Sequence, residues 1–356
     1  MTRYAVVALL LLAASAAVAA DPPAASDAPK PVPKAEERFK NIMALQGIPA
    51  DDLFPAMQFI SASLGVDCDY CHVDHKPESD DIKKKLAARE MIELQRTINR
   101  TFNGRNVVTC MTCHRGSTHP VAVPPVADGS APAAEEAAPP ALPELGAVLD
   151  AYVKAVGGAE AMAKVESRVQ IGKLTGFGPE PFPVEIHAKA PNRRISIVKT
   201  PRGESITAFD GTVGWLGGGQ RPAQEMGAGE RQAASLDADL KFPADVRERF
   251  QEVRVARPET IGGKPATRVV ARNEGEPPVE LFFDPSSGLL VRMKRYVETS
   301  LGRMPTEIDY ADWRDAGGVK IPFRWTVARP SGRFTIQVDE TRVNVPVDDA
   351  KFKKGA

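Results

Sequence analysis

Cys68-Asp69-Tyr70-Cys71-His72 and Cys110-Met111-Thr112-Cys113-His114 lie within one stretch, Asp51 to Gly116, that holds a single pattern written twice. In each copy an apolar helical stripe containing a methionine leads through a Gly-containing turn to Cys-x-x-Cys-His. These are the only four cysteines among 356 residues. Cys-x-x-Cys-His is the attachment signature of c-type haem: two thiols form thioethers with the porphyrin vinyls, and the adjacent histidine reaches the iron. The pattern predicts two covalently bound haem c groups, attached at Cys68, Cys71, Cys110 and Cys113. His72 and His114 are then the proximal iron ligands. Two rival chemistries fit less well. The pairs of a four-cysteine zinc site usually lie closer together and need no histidine after each. A thioredoxin-like dithiol sits beside a βαβ pattern, and none is visible in this stretch.

The helices before each motif follow from local signals. Asp51 and Asp52 are good N-cap residues, Pro55 falls in a first turn, and Leu53, Met57, Ile60 and Leu64 share one helix face. Gly65 supplies the stop. In the second copy a helix is expected over Lys83 to Phe102, with Ala87, Met91, Leu94, Ile98 and Phe102 on one buried face and Asn103-Gly104 at its end. A further helix is expected from Ala35 through Phe39 and Met43, stopping near Gly47. Met57 and Met91 are candidate distal iron ligands, because a thioether is a soft ligand and Met/His ligation raises the potential of the iron. The alternative is that each is a core methionine. His75, His119, Met43 and Met111 compete for the same role.

The segment Glu36 to Pro120 resembles the photosynthetic reaction-centre cytochrome c subunit, a four-haem family built from repeats of helix, turn and Cys-x-x-Cys-His. Its methionine ligands mostly come from the helix before each motif. The resemblance is carried by Met57-Gln58-Phe59 before Cys68, Met91-Ile92 before Cys110, and Cys113-His114-Arg115-Gly116. It implies that Met57 and Met91 are the sixth ligands of the first and second haems. Two of the four repeats occur here, over under a quarter of the chain. Arg115 and Lys76 could neutralise haem propionates and Tyr70 could pack on a porphyrin edge, or all three could be solvated loop residues.

Arg3, the apolar run Val6 to Leu12 and the small residues Ala17-Val18-Ala19 or Val18-Ala19-Ala20 read as a secretory signal peptide over residues 1–20, with a membrane anchor as the alternative. Export to the periplasm is expected, with no transmembrane segment in the mature chain. Residues 21–34 read as a disordered tether and 35–120 as the dihaem cytochrome c domain. Pro120 to Pro143 contains seven prolines and eight alanines, so residues 121–143 read as a semi-rigid linker. Hydrophobic residues make up 43%, charged residues 26%, and the formal net charge is zero. That balance suits a globular chain and gives no sign of a nucleic-acid partner.

Residues 144–356 read as an antiparallel sheet domain. Helices are expected over Leu145 to Val156 and Ala159 to Val165. Strand-like runs follow, among them Val184 to Ala188, Arg194 to Lys199, Thr267 to Ala271, Val279 to Phe283 and Leu289 to Tyr296, with a partly helical insertion over Asp237 to Arg249. Short Gly- and Pro-containing turns between them point to a meander. The expected fold class is therefore α+β with two domains: a mainly helical dihaem domain, and a curved antiparallel sheet (a half-barrel) with covering helices. The second domain resembles the lipoprotein-carrier (LolA/LolB-like) fold through Gly157-Gly158, Asp210-Gly211 to Trp215, and Phe283-Asp284 to Gly288-Leu289-Leu290. No Ser/His/Asp set is convincing there, since His187 is the only histidine after His119. Trp215, Trp313 and Trp325 read as core anchors. The leading functional expectation is electron transfer between a redox donor and a redox acceptor protein rather than enzymic turnover, with the sheet docking a partner or binding an apolar ligand. Two alternatives stay open: a dihaem peroxidase-type enzyme with one open iron, and a lipid or lipoprotein carrier with accessory haems.

Overall fold

A computed structural model describes residues 32–120, 141–219 and 221–354. The expected signal peptide, most of the tether and most of the linker lie outside them. No helix among the described residues is long and apolar enough to cross a membrane.

The N-terminal part holds α1 (Ala35–Arg38), α2 (Leu53–Leu64), α3 (Lys83–Arg100) and α4 (Cys110–His114). The first helix is much shorter than its spacing predicts. Asn41 adopts a left-handed φ of 58°, which breaks the run; its side-chain amide is engaged by the Glu78 carbonyl and the Asp80 carboxylate. Phe39 and Met43 are left exposed. The α2 helix starts as expected, but its Asp52 carboxylate caps no helix N–H. It accepts instead from the Ser300 backbone N–H at 2.8 Å, far away in sequence. Gly65 ends α2 at φ 67°, and a Cβ there would run into the Gly116 carbonyl oxygen. The Gly116 N–H donates to Ser63 O at 2.8 Å, which ties the end of α2 to the loop after α4.

The C-terminal part opens with α5 (Leu145–Ala155) and α6 (Ala159–Ala163). The first half of the sheet comprises β1 (Ser167–Thr175), β2 (Phe182–Lys189), β3 (Arg193–Thr200), β4 (Gly203–Phe209), β5 (Gly214–Gly218) and β6 (Arg221–Glu225). Then come α7 (Ala228–Ala238) and α8 (Val246–Arg249), so the helical insertion begins earlier than expected. The second half comprises β7 (Glu252–Ile261), β8 (Lys264–Arg272), β9 (Val279–Phe283), β10 (Leu290–Thr299), β11 (Gly302–Ala316), β12 (Val319–Arg329) and β13 (Gly332–Val343). The 13 strands form one sheet in the order β6-β5-β4-β3-β2-β1-β13-β12-β11-β10-β9-β8-β7. It is two antiparallel meanders joined where β1 pairs with β13. The α+β class is as expected.

The sheet is strongly curved. The α7 helix contacts β3, β4 and β5 and also β10. In a flat sheet β5 and β10 would lie about 38 Å apart at ~4.8 Å per strand. An 11-residue helix is only about 16 Å long. The covered face carries the main core: Val148, Leu149 and Tyr152 of α5, Leu236 of α7 and Val246 of α8 pack on Val184, Ile186, Leu281, Phe283 and Ile308. A smaller cluster on the other side includes Trp215 and Phe352, and the Trp215 indole N–H donates to Phe352 O at 3.2 Å.

The linker is not the sole connection between the two parts. The β10–β11 turn, Thr299-Ser300-Leu301-Gly302, enters the core of the helical segment. Leu301 is fully buried among Ala56, Phe59, Ile92 and Met304. The Thr299 hydroxyl accepts the Leu301 and Gly302 N–H groups and donates to Gly302 O, which fixes the turn. The Phe59 ring lies so close to Gly302 that a Cβ there would clash with it.

Candidate haem-attachment sites

Both motifs are presented in the same way, by a tight turn whose histidine is anchored just downstream. Cys68–Tyr70 forms a short 3-10 turn, and Cys110–His114 is α4 itself. The His72 Nδ1 lies 2.9 Å from Pro77 O, and the His114 Nδ1 lies 2.9 Å from Ser117 O. A carbonyl at Nδ1 requires the proton there, so the unprotonated Nε2 of each ring is the nitrogen free to bind iron. All four cysteines are unpaired thiols. Cys68 and Cys113 are exposed, whereas burial pushes the Cys71 and Cys110 thiols up. Among the described residues no three His, Cys, Asp or Glu side chains converge as a metal cluster, so the two pairs do not form one four-sulfur site.

The α3 helix holds both motifs. At its start the Lys85 ammonium donates to Pro77 O at 2.9 Å, the same carbonyl that faces His72, and to Ser79 O at 2.8 Å. Asp80 ties Lys85 and Arg89 together, and their hydrogen bonds with that of Asn41 hold its carboxyl well below the usual carboxylate range. At the far end, the Gln95 and Asn99 amides both donate to Val108 O, at 2.9 and 2.7 Å. The Val108 N–H donates back to the Asn99 side-chain oxygen at 2.9 Å. Val108 stands two residues before Cys110, so these amides set the approach of the chain to the second motif.

This clamp corrects the expected burial of α3. Its buried residues are Lys85, Ile92, Gln95 and Asn99, because the loops around both motifs need hydrogen-bond partners from that side. Met91 is 49% exposed and Leu94 52%, with Ala87 and Phe102 also exposed and Ile98 half-buried. The apolar stripe is therefore real but faces outward, roughly a third of a turn from the buried face. The α2 helix repeats this arrangement. Ala56, Phe59 and Ser63 are buried; Leu53, Met57, Ile60 and Leu64 flank them half-buried, and Phe54 is 67% exposed. Each methionine thus lies on an apolar stripe that protein does not fully cover. Such stripes, with unpaired thiols and anchored imidazoles, fit a flat apolar cofactor held by Cys-x-x-Cys-His.

The remaining residues fall as follows. Met57 packs against the cluster that Cys110 also touches. His75 is exposed beside Asp74, and Met43 and Met111 are exposed. The Lys84 ammonium stands 3.6 Å over the Tyr70 ring. Arg115 is exposed at a left-handed φ of 52°. A cleft of about 840 Å³ is lined by Phe59, Thr109 and Met111 of the helical segment and by Tyr296, Arg303 and Met304 of β10 and β11. It lies on the Met111 side of α4, whereas Cys110, Cys113 and His114 share another face at i, i+3 and i+4. Lys85, Gln95 and Asn99 carry no sequence signal of this role, since none of them lies on the apolar stripe of the helix.

Residues 7–139, which include both motifs, match the family model described as photosynthetic reaction centre cytochrome C subunit. The N-terminal segment is similar to c-type cytochromes. The photosynthetic reaction center cytochrome c subunit of Thermochromatium tepidum is 36% identical over 93 residues, which span 25% of this chain and 23% of that protein. Cytochrome c-554 of Chloroflexus aurantiacus is 37% identical over 84 residues, 22% of this chain and 20% of that one. The chain thus spans under a quarter of the length of the curated relatives it matches. Among solved structures, a LolA superfamily protein from Nitrosomonas europaea shares 12% identity over 59% of this chain and 97% of its own, with a TM-score of 0.41. At that level the likeness says nothing of what the sheet binds.

Proposed function

We propose that the chain is an exported, periplasmic dihaem c-type cytochrome that carries electrons between a donor and an acceptor protein. The observation that supports this reading most is the repeated Cys-x-x-Cys-His, each histidine with Nδ1 on a backbone carbonyl, in a segment similar to reaction-centre cytochromes. In this reading Cys68 and Cys71 hold the first haem and Cys110 and Cys113 the second. His72 and His114 bind iron through Nε2. Met57 and Met91, on the outward stripes of α2 and α3, would supply the sixth ligands. Bound haem supplies one-electron exchange at a potential set by axial ligands and burial. The protein's part is to fix the two imidazoles and exclude water from the apolar faces.

The sheet, over residues 144–356, serves in this proposal as the platform for the haem segment over residues 35–120. Leu301 and the bond from Ser300 N–H to Asp52 support that role. Potentiometric titration with optical detection tests the reading. Two low-spin, reversibly titrating haems that ignore carbon monoxide are expected. A high-spin iron that takes up carbon monoxide would favour a peroxidase-type enzyme instead.

A further inference from the structure

The helix-covered face of the sheet carries two arginines that no carboxylate among the described residues pairs with. Arg168 on β1 and Arg194 on β3 are both cross-strand partners of Ala188 on β2. Directly opposed residues point to the same side of a sheet. Val184 and Ile186, at alternate positions with Ala188, belong to the main core, so both arginines rise from that core face. Arg295 on β10 lies in the same region but is already paired. It grips Asp237 of α7 with two nitrogens, at 2.8 and 3.1 Å, and donates to Ala233 O at 3.1 Å. Asp237 is the acid that Arg194 senses, and no carboxylate acts on Arg168. Among the described residues neither Arg168 nor Arg194 makes an ion pair. Tyr310 on β11 influences both, and Arg329 stands exposed at the rim.

A guanidinium does not relieve this crowding by losing its proton. Burial, and then the charge of Arg194, lower Arg168 only to about 10. Burial pushes the Tyr310 hydroxyl up, so it remains a donor at neutral pH. Two half-buried guanidinium forks and a half-buried phenol thus stand on one face of the sheet, with no carboxylate among the described residues in ion-pair contact with either arginine. A carboxylate offers two oxygens to such a set; a phosphate offers more, and pairs with guanidinium bidentately.

We propose that Arg168 and Arg194, with the Tyr310 hydroxyl, form a binding site for a phosphate group on the helix-covered face of the sheet. The group could come as free phosphate or as a phospholipid headgroup. The experiment is calorimetric titration of the full haem-loaded chain in phosphate-free buffer, with inorganic phosphate in one arm and monomeric dihexanoyl phosphatidic acid in the other. One bound anion per chain is expected in at least one arm. Equal affinities identify free phosphate as sufficient, and binding confined to the lipid identifies the headgroup. Arg168→Gln and Arg194→Gln should each weaken binding by roughly tenfold or more, with the haem spectrum unchanged. Where a glutamine variant does not fold, Arg168→Lys and Arg194→Lys keep the charge but lose the fork, and weaker binding is again expected. No binding by the unaltered chain, or binding that survives every folded variant at both positions, overturns the proposal.

Discussion

Lys85 and His72 meet at one oxygen: the Pro77 carbonyl lies 2.9 Å from the Lys85 ammonium and 2.9 Å from the His72 Nδ1. The lysine draws electron density from the acceptor of the histidine's hydrogen bond and adds a positive charge near the iron that His72 would bind. Both effects stabilise reduced iron. Lys85→Met should therefore lower the potential of the first haem and leave the second nearly unchanged, as read by potentiometric titration. Equal shifts in both haems, or in neither, would count against a local role for Lys85.

Met57 and Met91 are separated from ordinary core methionines by Met→Leu, which keeps volume and apolarity and costs a packing residue less than about 1.5 kcal/mol. A ligand responds differently, since leucine has no lone pair for iron. Met57→Leu should turn one haem high-spin, lower its potential and open it to carbon monoxide. Met91→Leu should do the same to the other haem. Low-spin spectra and unchanged potentials in both variants would make these packing residues and turn attention to His75 and His119.

Leu301, in the turn between β10 and β11, completes the core of the haem segment. Leu301→Ala should destabilise the protein by about 2–5 kcal/mol, as for other fully buried leucines, with the loss seen in the unfolding of the haem segment. Protease cleavage within residues 121–143 should also leave the coloured and colourless fragments associated until denaturant is added. Their immediate separation on a sizing column would contradict the role of the hairpin.

Asp245 supplies a pH dependence. Burial, and then the neighbouring Asp239, push its carboxyl up to about 6. The folded state therefore binds this proton more tightly than the unfolded chain, and the contribution to stability is present at low pH and lost as pH rises from about 4 through about 6. Asp245→Asn should flatten that part of the stability curve in denaturant titrations between pH 4.5 and 7. An unchanged slope would show that the group does not titrate there.

Much of this architecture is legible in the chain, and the failures have a common cause. Apolar spacing marks α2 and α3, and short apolar runs between Gly- and Pro-containing turns mark several strands, such as Val279–Phe283. Hydrophobic pattern did not show which face of α3 the protein covers. Lys85, Gln95 and Asn99 are buried because loop carbonyls need donors, so the apolar stripe around Met91 is the open one. The union of the two meanders through β1 and β13 pairs residues as far apart as Arg168 and Val343, beyond any local signal. The same holds for Leu301, which as a turn residue would be expected at the surface.

The proposed function requires that each Cys-x-x-Cys-His carry its own covalent haem. It is tested most directly by the intact mass of the purified chain after acid–acetone extraction, paired with a pyridine haemochrome assay. Covalent attachment at both motifs predicts a polypeptide that keeps its colour and carries the added mass of two haem groups. It predicts the loss of one group in Cys68→Ala/Cys71→Ala and of the other in Cys110→Ala/Cys113→Ala. A colourless chain at its unmodified mass, or one holding zinc in place of iron, would contradict it.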